Sequence, residues 1–196
     1  LVLKVDQALL QNLDIHHQLI DQCREGNPKA QFQLYNLYSK QMLNISHRIV
    51  NDRMEAEDVL QESFINAFSR LKSFRGESSF GSWLKRIVIN QSLNVVRRKK
   101  QFFEEINDDT FGLQDEEEKD EEANDYNVKD IHTALQQLPD GYRVIFSLYM
   151  FEDLSHNEIA EQLNISVNTS KSQLSRARKK MKELMQKNKE DEKGSI

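Results

Sequence analysis

The stretch LSHNEIAEQLNISVNTSKSQLSRARKKMKEL, from Leu154 to Leu184, leaves this chain few ways to fold. Ser155 followed three residues later by Glu158 is a capping box. It starts a helix in which Ile159, Ala160 and Leu163 recur at helical spacing. Asn164-Ile165-Ser166 interrupts the pattern, and Ser166 can cap a second helix from Val167. At 3.6 residues per turn, Val167, Leu174, Ala177, Met181 and Leu184 share one side of that second helix. Thr169, Ser172, Gln173, Arg176, Lys179 and Lys180 fall opposite, flanked by Asn168, Lys171 and Arg178. Between Val167 and Lys182 there are six basic residues and no acidic one. Short polar side chains early in a helix can approach base edges, and cations further along can meet phosphate oxygens. A solvated amphipathic helix is the plainer account of a charge run. The lack of acidic partners, with a capped helix and a short turn before it, favours a DNA-binding helix-turn-helix.

The rest of the chain is compatible with that unit only as helix. Glycine (6) and proline (2) are scarce among 196 residues, which points to an all-α protein of one or two domains. No apolar run approaches the length of a membrane span, and the first residues lack the pattern of a signal peptide. Cys23 is the single cysteine and has no metal partners nearby, so the expected compartment is cytoplasmic. A net charge of −5 looks wrong for a DNA binder until it is divided. Glu104 to Asp125 holds 12 acidic residues and one lysine, a local −11, so the remainder carries +6.

Upstream, Gly26-Asn27-Pro28 ends one expected helix (about Leu13 to Glu25) and begins another. The second carries Phe32, Tyr35, Tyr38, Met42, Ile45 and Ile49 as its expected core stripe. Asn51-Asp52 turns the chain, and Asp52 with Glu55 again reads as a capping box. The helix from Arg53 to Leu71 buries Leu60, Phe64, Ala67 and Leu71. Its other face carries Glu55, Asp58, Gln61, Glu62 and Ser69, with Ile65 set among them. An isolated apolar side chain ringed by acids and amides suits protein docking, although acidic faces are commonly just solvated.

Next, Gly76 and Gly81 bracket a short loop with Phe74, Arg75, Ser78, Ser79 and Phe80. A helix follows from about Ser82, with Leu84, Val88, Ile89, Leu93, Val95 and Val96 on its buried side. Trp83, Arg86, Asn90, Asn94, Arg97 and Arg98 fall on the remaining arc, and Lys85 to Lys100 holds six cations and no anion. Rings, amides and a cationic track suit single-stranded nucleic acid, although any one aromatic is more often core. Residues Gln101 to Tyr126 then form an acidic segment of low hydrophobicity, expected to be a flexible linker. Beyond it, helices Val128 to Leu138 and Tyr142 to Phe151 give the helix-turn-helix a support, and the tail from Lys187 is expected to fray. The five histidines have no metal-ligand spacing, and no phosphate-binding loop, nucleophile elbow or acid pair is present. Neither catalysis, a cofactor nor a small-molecule substrate is expected.

Three blocks, taken together, resemble RNA polymerase sigma factors of the extracytoplasmic-function group within the sigma-70 family. They are EAEDVLQESFINAFSRLKSFRGESSFGSWLKRIVINQSLN, LPDGYRVIFSLYMFEDLSHNEIAEQLNIS and NTSKSQLSRARKKM. The resemblance implies two small helical domains, residues 1–101 and 127–187, joined by an acidic linker at 102–126 and followed by a polar tail at 188–196. Asp58, Gln61, Glu62 and Ile65 would then dock on the clamp helices of the largest subunit of core RNA polymerase. The melted promoter −10 element would meet Phe74, Arg75, Ser78, Phe80, Trp83, Arg86, Asn90, Asn94, Arg97 and Arg98. The duplex −35 element would meet Asn168, Thr169, Lys171, Ser172, Gln173, Arg176, Arg178, Lys179 and Lys180. In the family the linker threads into the polymerase near the path of the nascent RNA. An anti-sigma factor, membrane-bound or soluble, is a further partner that the resemblance allows. Asn168, Ser170 and Gln173 depart from the commoner glycine, valine and arginine, and Ser170 falls on the expected buried face.

The resulting expectation is a sigma factor directing promoter-specific initiation. One alternative is a sigma-like decoy that binds an anti-sigma factor without recognising DNA. Another is a simple repressor or activator, which would leave the acidic face and the aromatic loop without a use.

Overall fold

The computed structural model describes residues 16–99 and 128–193. All regular structure among them is helical, and the chain divides into two compact units, one built mainly from the helices before residue 100 and the other mainly from those after 127. No helix among the described residues is long and apolar enough to cross a membrane. The acidic segment expected as a linker and the last residues of the tail lie outside the described residues.

The first unit opens with α1, described over 16–24. Its end is set by Gly26 at φ +82°, a left-handed conformation in which a residue without Cβ is unstrained. Asn27 then caps α2 (Pro28–Val50): its Oδ1 accepts from the backbone N–H groups of Lys29 at 2.9 Å and Ala30 at 3.3 Å. Pro28 occupies the first helical position, where no N–H is needed. The buried line of α2 is Ala30, Leu34, Met42, Ile45 and Ile49, while Tyr35 and Tyr38 are half-buried. Phe32, expected in the core, is 66% exposed. It stands two residues from both Ala30 and Leu34, about 200° around the helix, so burying them turns it outward.

Asn51 at φ +60° turns the chain into α3 (Arg53–Ser69), and the Asp52 side chain accepts from Glu55 N–H at 2.8 Å. Leu60, Phe64 and Ala67 are buried as expected, and Leu71 is buried in the short 3-10 turn Leu71–Ser73 that follows α3. α4 (Phe80–Arg97) starts two residues earlier than the sequence suggests, because Ser79 Oγ accepts from Ser82 N–H at 3.1 Å and acts as its cap. Leu84, Val88, Ile89, Leu93 and Val96 are buried, and Val95 is only half-buried.

Aromatic rings join these helices. Tyr35 packs on Phe64 at 4.8 Å between centroids, and Tyr38 meets Phe80 edge-on at 5.3 Å. The Tyr38 hydroxyl and His16 Nδ1 lie 3.2 Å apart. Gly81 lets α4 come this close, since a Cβ built there would sit 2.9 Å from Tyr38 Cε1.

In the second unit α5 (Val128–Gln137) and α6 (Asp140–Met150) support α7 (His156–Leu163) and α8 (Val167–Lys193), and α8 packs on all three. The capping box is complete: Ser155 Oγ accepts from Glu158 N–H at 3.3 Å, and Glu158 Oε2 accepts from Ser155 N–H at 2.8 Å. Asn164 at φ +55° ends α7, and Ser166 Oγ accepts from Thr169 N–H at 2.9 Å to start α8. Arg143 of α6 is buried, with Nη1 donating to Leu138 O at 3.0 Å and Nη2 paired with Asp140. The expected fraying from Lys187 is not seen: α8 continues to Lys193, and Gln137 of α5 reaches Asn188 at 3.5 Å.

Replacing Gly81 by alanine should lower stability by about 1–3 kcal/mol, because the added methyl must displace a ring held on two sides. Urea unfolding should show a lower midpoint at an unchanged slope.

Candidate nucleic-acid and protein-docking faces

On α3, Asp58, Gln61 and Glu62 are exposed, and Ile65 is 69% exposed among them. Sequence reasoning missed Met54, which is 77% exposed and lies on the same face eleven residues, or about three turns, before Ile65. Its signal was available as a helical period, but its place in the first turn hid it.

Five consecutive exposed residues, Arg75 to Ser79, form the loop between α3 and α4, and Gly76 at φ +75° makes its bend. Phe74 and Phe80 were expected to meet DNA bases and are instead buried. Their rings meet edge-on at 5.9 Å and both touch Trp83, at 5.2 and 5.7 Å. These rings are more stabilising packed together than exposed, so they close the stem of the loop and leave its polar tip to water. Trp83 is half-buried. Along α4, Arg86, Asn90, Asn94 and Arg98 are exposed as expected. Spacings of three and four from Trp83 to Arg97 place that run on one line, and Arg97 Nη1 donates to Asn94 Oδ1 at 3.4 Å.

Arg24 of α1 also reaches this loop, although its sequence neighbours do not single it out. Its Nη2 donates to Phe74 O at 2.7 Å, its Nε to Leu71 O at 3.5 Å, and its Nη1 to Asp21 Oδ1 at 2.8 Å. The contact joins residues 50 apart, so no local pattern announces it.

On α8 the buried line is Ser170, Leu174, Ala177 and Met181, with Gln173 beside it. Gln173 is 0% exposed and cannot reach a groove from there. Val167, taken as a buried anchor, is only half-buried, and centring the covered side on Ser170 rotates the outward face away from Gln173. That face now comprises Asn168, Lys171, Ser175, Lys179 and Lys182, all exposed, with Ser172 half-buried among them. Ser175 was missed for the same reason. Thr169 and Arg176 are half-buried at one edge, and Lys180 at that edge pairs with Glu183 at 3.1 Å. At the other edge Arg178 lies over the Tyr149 ring at 5.7 Å.

Ser170 is held by His156: its Oγ lies 2.9 Å from the imidazole Nδ1, which ties the first residue of α7 to α8. The imidazole stacks on Tyr149 at 4.7 Å. Burial, with Lys171 and Arg178 nearby, pushes the His156 pKa below its ordinary value.

The chain matches the family model for Sigma-70 region 2 over residues 34–102 and that for Sigma-70, region 4 over residues 129–181. The RNA polymerase sigma-H factor of Pseudomonas aeruginosa is 34% identical over 179 residues, a span of 86% of this chain and 93% of that protein. The ECF RNA polymerase sigma factor SigM of Bacillus subtilis is 30% identical over 161 residues, 82% of this chain and 98% of that one. The chain belongs to the sigma-70 family, in its extracytoplasmic-function group. Among solved structures it is similar to CnrH in complex with the cytosolic domain of CnrY, with a TM-score of 0.51 at 22% identity, covering 87% of this chain and 97% of that one. The sigma factor RpoE, in complex with the anti-sigma factor NepR from Bartonella quintana, also gives a TM-score of 0.51 at 22% identity, covering 79% of this chain and 95% of that one. Both support the helical fold. As a sigma factor the chain associates with core RNA polymerase and promoter DNA and directs transcription initiation.

A folded-state pKa below the unfolded one means that the unfolded chain protonates His156 first as pH falls. Its contribution to stability is therefore full above the ordinary value of 6.5 and declines as pH drops from there through the folded value. Unfolding at pH 7.5 and pH 5.5 should show the parent losing more stability on acidification than a His156→Gln variant.

Proposed function

We propose that this sigma factor assigns its three tasks to three separate faces. Residues 1–101 form the domain for polymerase and the −10 element, 127–187 the domain for the −35 element, and 102–126 the tether. The chain acts in the cytoplasm as a reversible, non-enzymatic subunit.

The α3 face of Asp58, Gln61, Glu62 and Ile65 docks on the largest-subunit clamp helices, with Met54 adding a second apolar contact. The exposed loop Arg75 to Ser79 receives an unpaired −10 base. Trp83, Arg86, Asn90, Asn94 and the cations at Arg97 and Arg98 follow the melted strand. Unstacked bases offer ring faces and polar edges, which an indole and carboxamides suit, while guanidinium groups follow phosphate. Phe74 and Phe80 contribute by closing the stem of the loop.

The −35 major groove takes the outward face of α8. Asn168, Lys171, Ser172 and Ser175 approach base edges, with Thr169 and Arg176 at the edge, and Arg178, Lys179 and Lys180 meet phosphates. The single observation that carries this reading is the exposed row opposite Ser170, Leu174, Ala177 and Met181. It favours promoter recognition over a decoy, which would have no use for an acid-free polar row. The solved sigma factor RpoE, bound to the anti-sigma factor NepR, supports the same kind of partner for this chain.

Ser175→Glu should weaken −35 duplex binding by about ten- to a hundredfold, by placing an anion against the groove. Gln173→Ala should instead lower stability and leave base preference intact. Fluorescence binding to matched and substituted duplexes checks both. The double change Asp58→Arg, Glu62→Arg should leave folding intact, since both sites are exposed, and abolish most association with core polymerase. Co-purification with core enzyme, followed by run-off transcription, tests it.

A further inference from the structure

We infer that Arg24 is a positioning residue for promoter opening: it latches the stem of the loop that takes the −10 base. The inference rests on the loop reading above. Arg24 lies before the residues matched by the region 2 model, which begin at 34, so it is no part of that family pattern.

The loop leaves the protein body at Phe74 and returns at Phe80. Its return is fixed by α4, whose first turn is capped by Ser79. At its departure the Phe74 N–H donates to Leu71 O at 3.2 Å and closes the 3-10 turn, but the Phe74 carbonyl lies beyond that turn. Arg24 holds that carbonyl. Its guanidinium donates to the carbonyls of Leu71 and Phe74, and Asp21 orients it from behind through Nη1. A planar fork can serve two acceptors at once, and a charged donor makes the stronger bond. With the Phe74 main chain fixed, its ring stays seated against Phe80 and Trp83, and the five exposed residues between them are presented in one arrangement. Pre-ordering the loop lowers the entropy lost when a base enters it.

The test uses holoenzyme assembled from the full chain and a promoter fragment whose −10 strand is single-stranded. The readout is the affinity ratio between matched and base-substituted −10 strands. Arg24→Ala should reduce that ratio by three- to tenfold, with assembly and −35 duplex binding unchanged. Arg24→Lys should fall between the two, because one ammonium cannot hold both carbonyls in the same way. An unchanged ratio in folded Arg24→Ala overturns the latch. So does a loss shared equally with −35 binding and assembly, which would make Arg24 a stability residue only. If Arg24→Ala does not fold, Arg24→Lys decides on the same terms. An Arg75→Ala, Ser78→Ala variant separates the two layers. If it lowers the ratio and Arg24→Ala does not, the latch alone fails. If it too leaves the ratio unchanged, the loop is not the reader, and the reading beneath the latch fails with it.

Discussion

Burial of one side of α8 is the constraint on which the second unit depends. The strip Ser170, Leu174, Ala177 and Met181 is covered by α5, α6 and α7, and once it is covered the rotation of the helix about its axis is no longer free. Every outward residue follows from that rotation. A helix advances about 100° per residue, so shifting the buried centre by part of a turn exchanges an outward side chain for a core one. Gln173 and Ser175 are that exchange. The same packing keeps the cations of Lys171, Lys179 and Lys182 in water on one side of the helix, where attraction to phosphate carries no burial cost.

The first unit solves a similar problem with rings. A five-residue polar loop has little of its own to pack, and its ends must be held close for it to keep a shape. Phe74 and Phe80 supply the closure, and their burial is what allows Arg75 to Ser79 to be wholly exposed. Buried apolar residues at the ends of an exposed loop therefore shape it without being exposed themselves. Gly81 belongs to the same arrangement, since the close seat of α4 on Tyr38 brings Phe80 to its partner.

What the sequence made legible was local. Caps at Asn27-Pro28, Asp52, Ser155 and Ser166, together with helical periods, placed most helix starts within a residue or two. The acidic face of α3 and the polar line of α4 were also readable, because exposure there follows from the period alone. Failures came where one phase had to be chosen among near equals. Phe32 outranked Leu34 by size, yet Leu34 aligns with Ala30 and Met42. Val167 is the most hydrophobic residue in the first turn of α8, yet it is only half-buried, while Ser170 is buried on the face expected for it. Long-range polar contacts, such as Arg24 with Phe74, were beyond reach because nothing in either neighbourhood encodes the other. Arg143 is half a local case: Leu138 and Asp140 lie within five residues of it, but Ile49 O, which also accepts from its guanidinium, is 94 residues away, and an arginine in an apolar run reads as exposed by default.

Ser170 shows how a polar residue can hold a core position that an aliphatic one would otherwise fill. A buried hydroxyl left alone would cost more than the packing it replaces, so it needs a partner in fixed geometry. His156 provides one from the first turn of α7, and Tyr149 stacks on the imidazole and limits where the ring can turn. Apolar contact tolerates sliding, whereas a hydrogen bond between two helices is satisfied over a narrow range of angles. The exchange of a methyl contact for this bond thus ties the crossing of α7 and α8 to one geometry. The outward face of α8 shares that geometry: Lys171 on the face and Arg178 at its edge both act on the imidazole and help to lower its pKa.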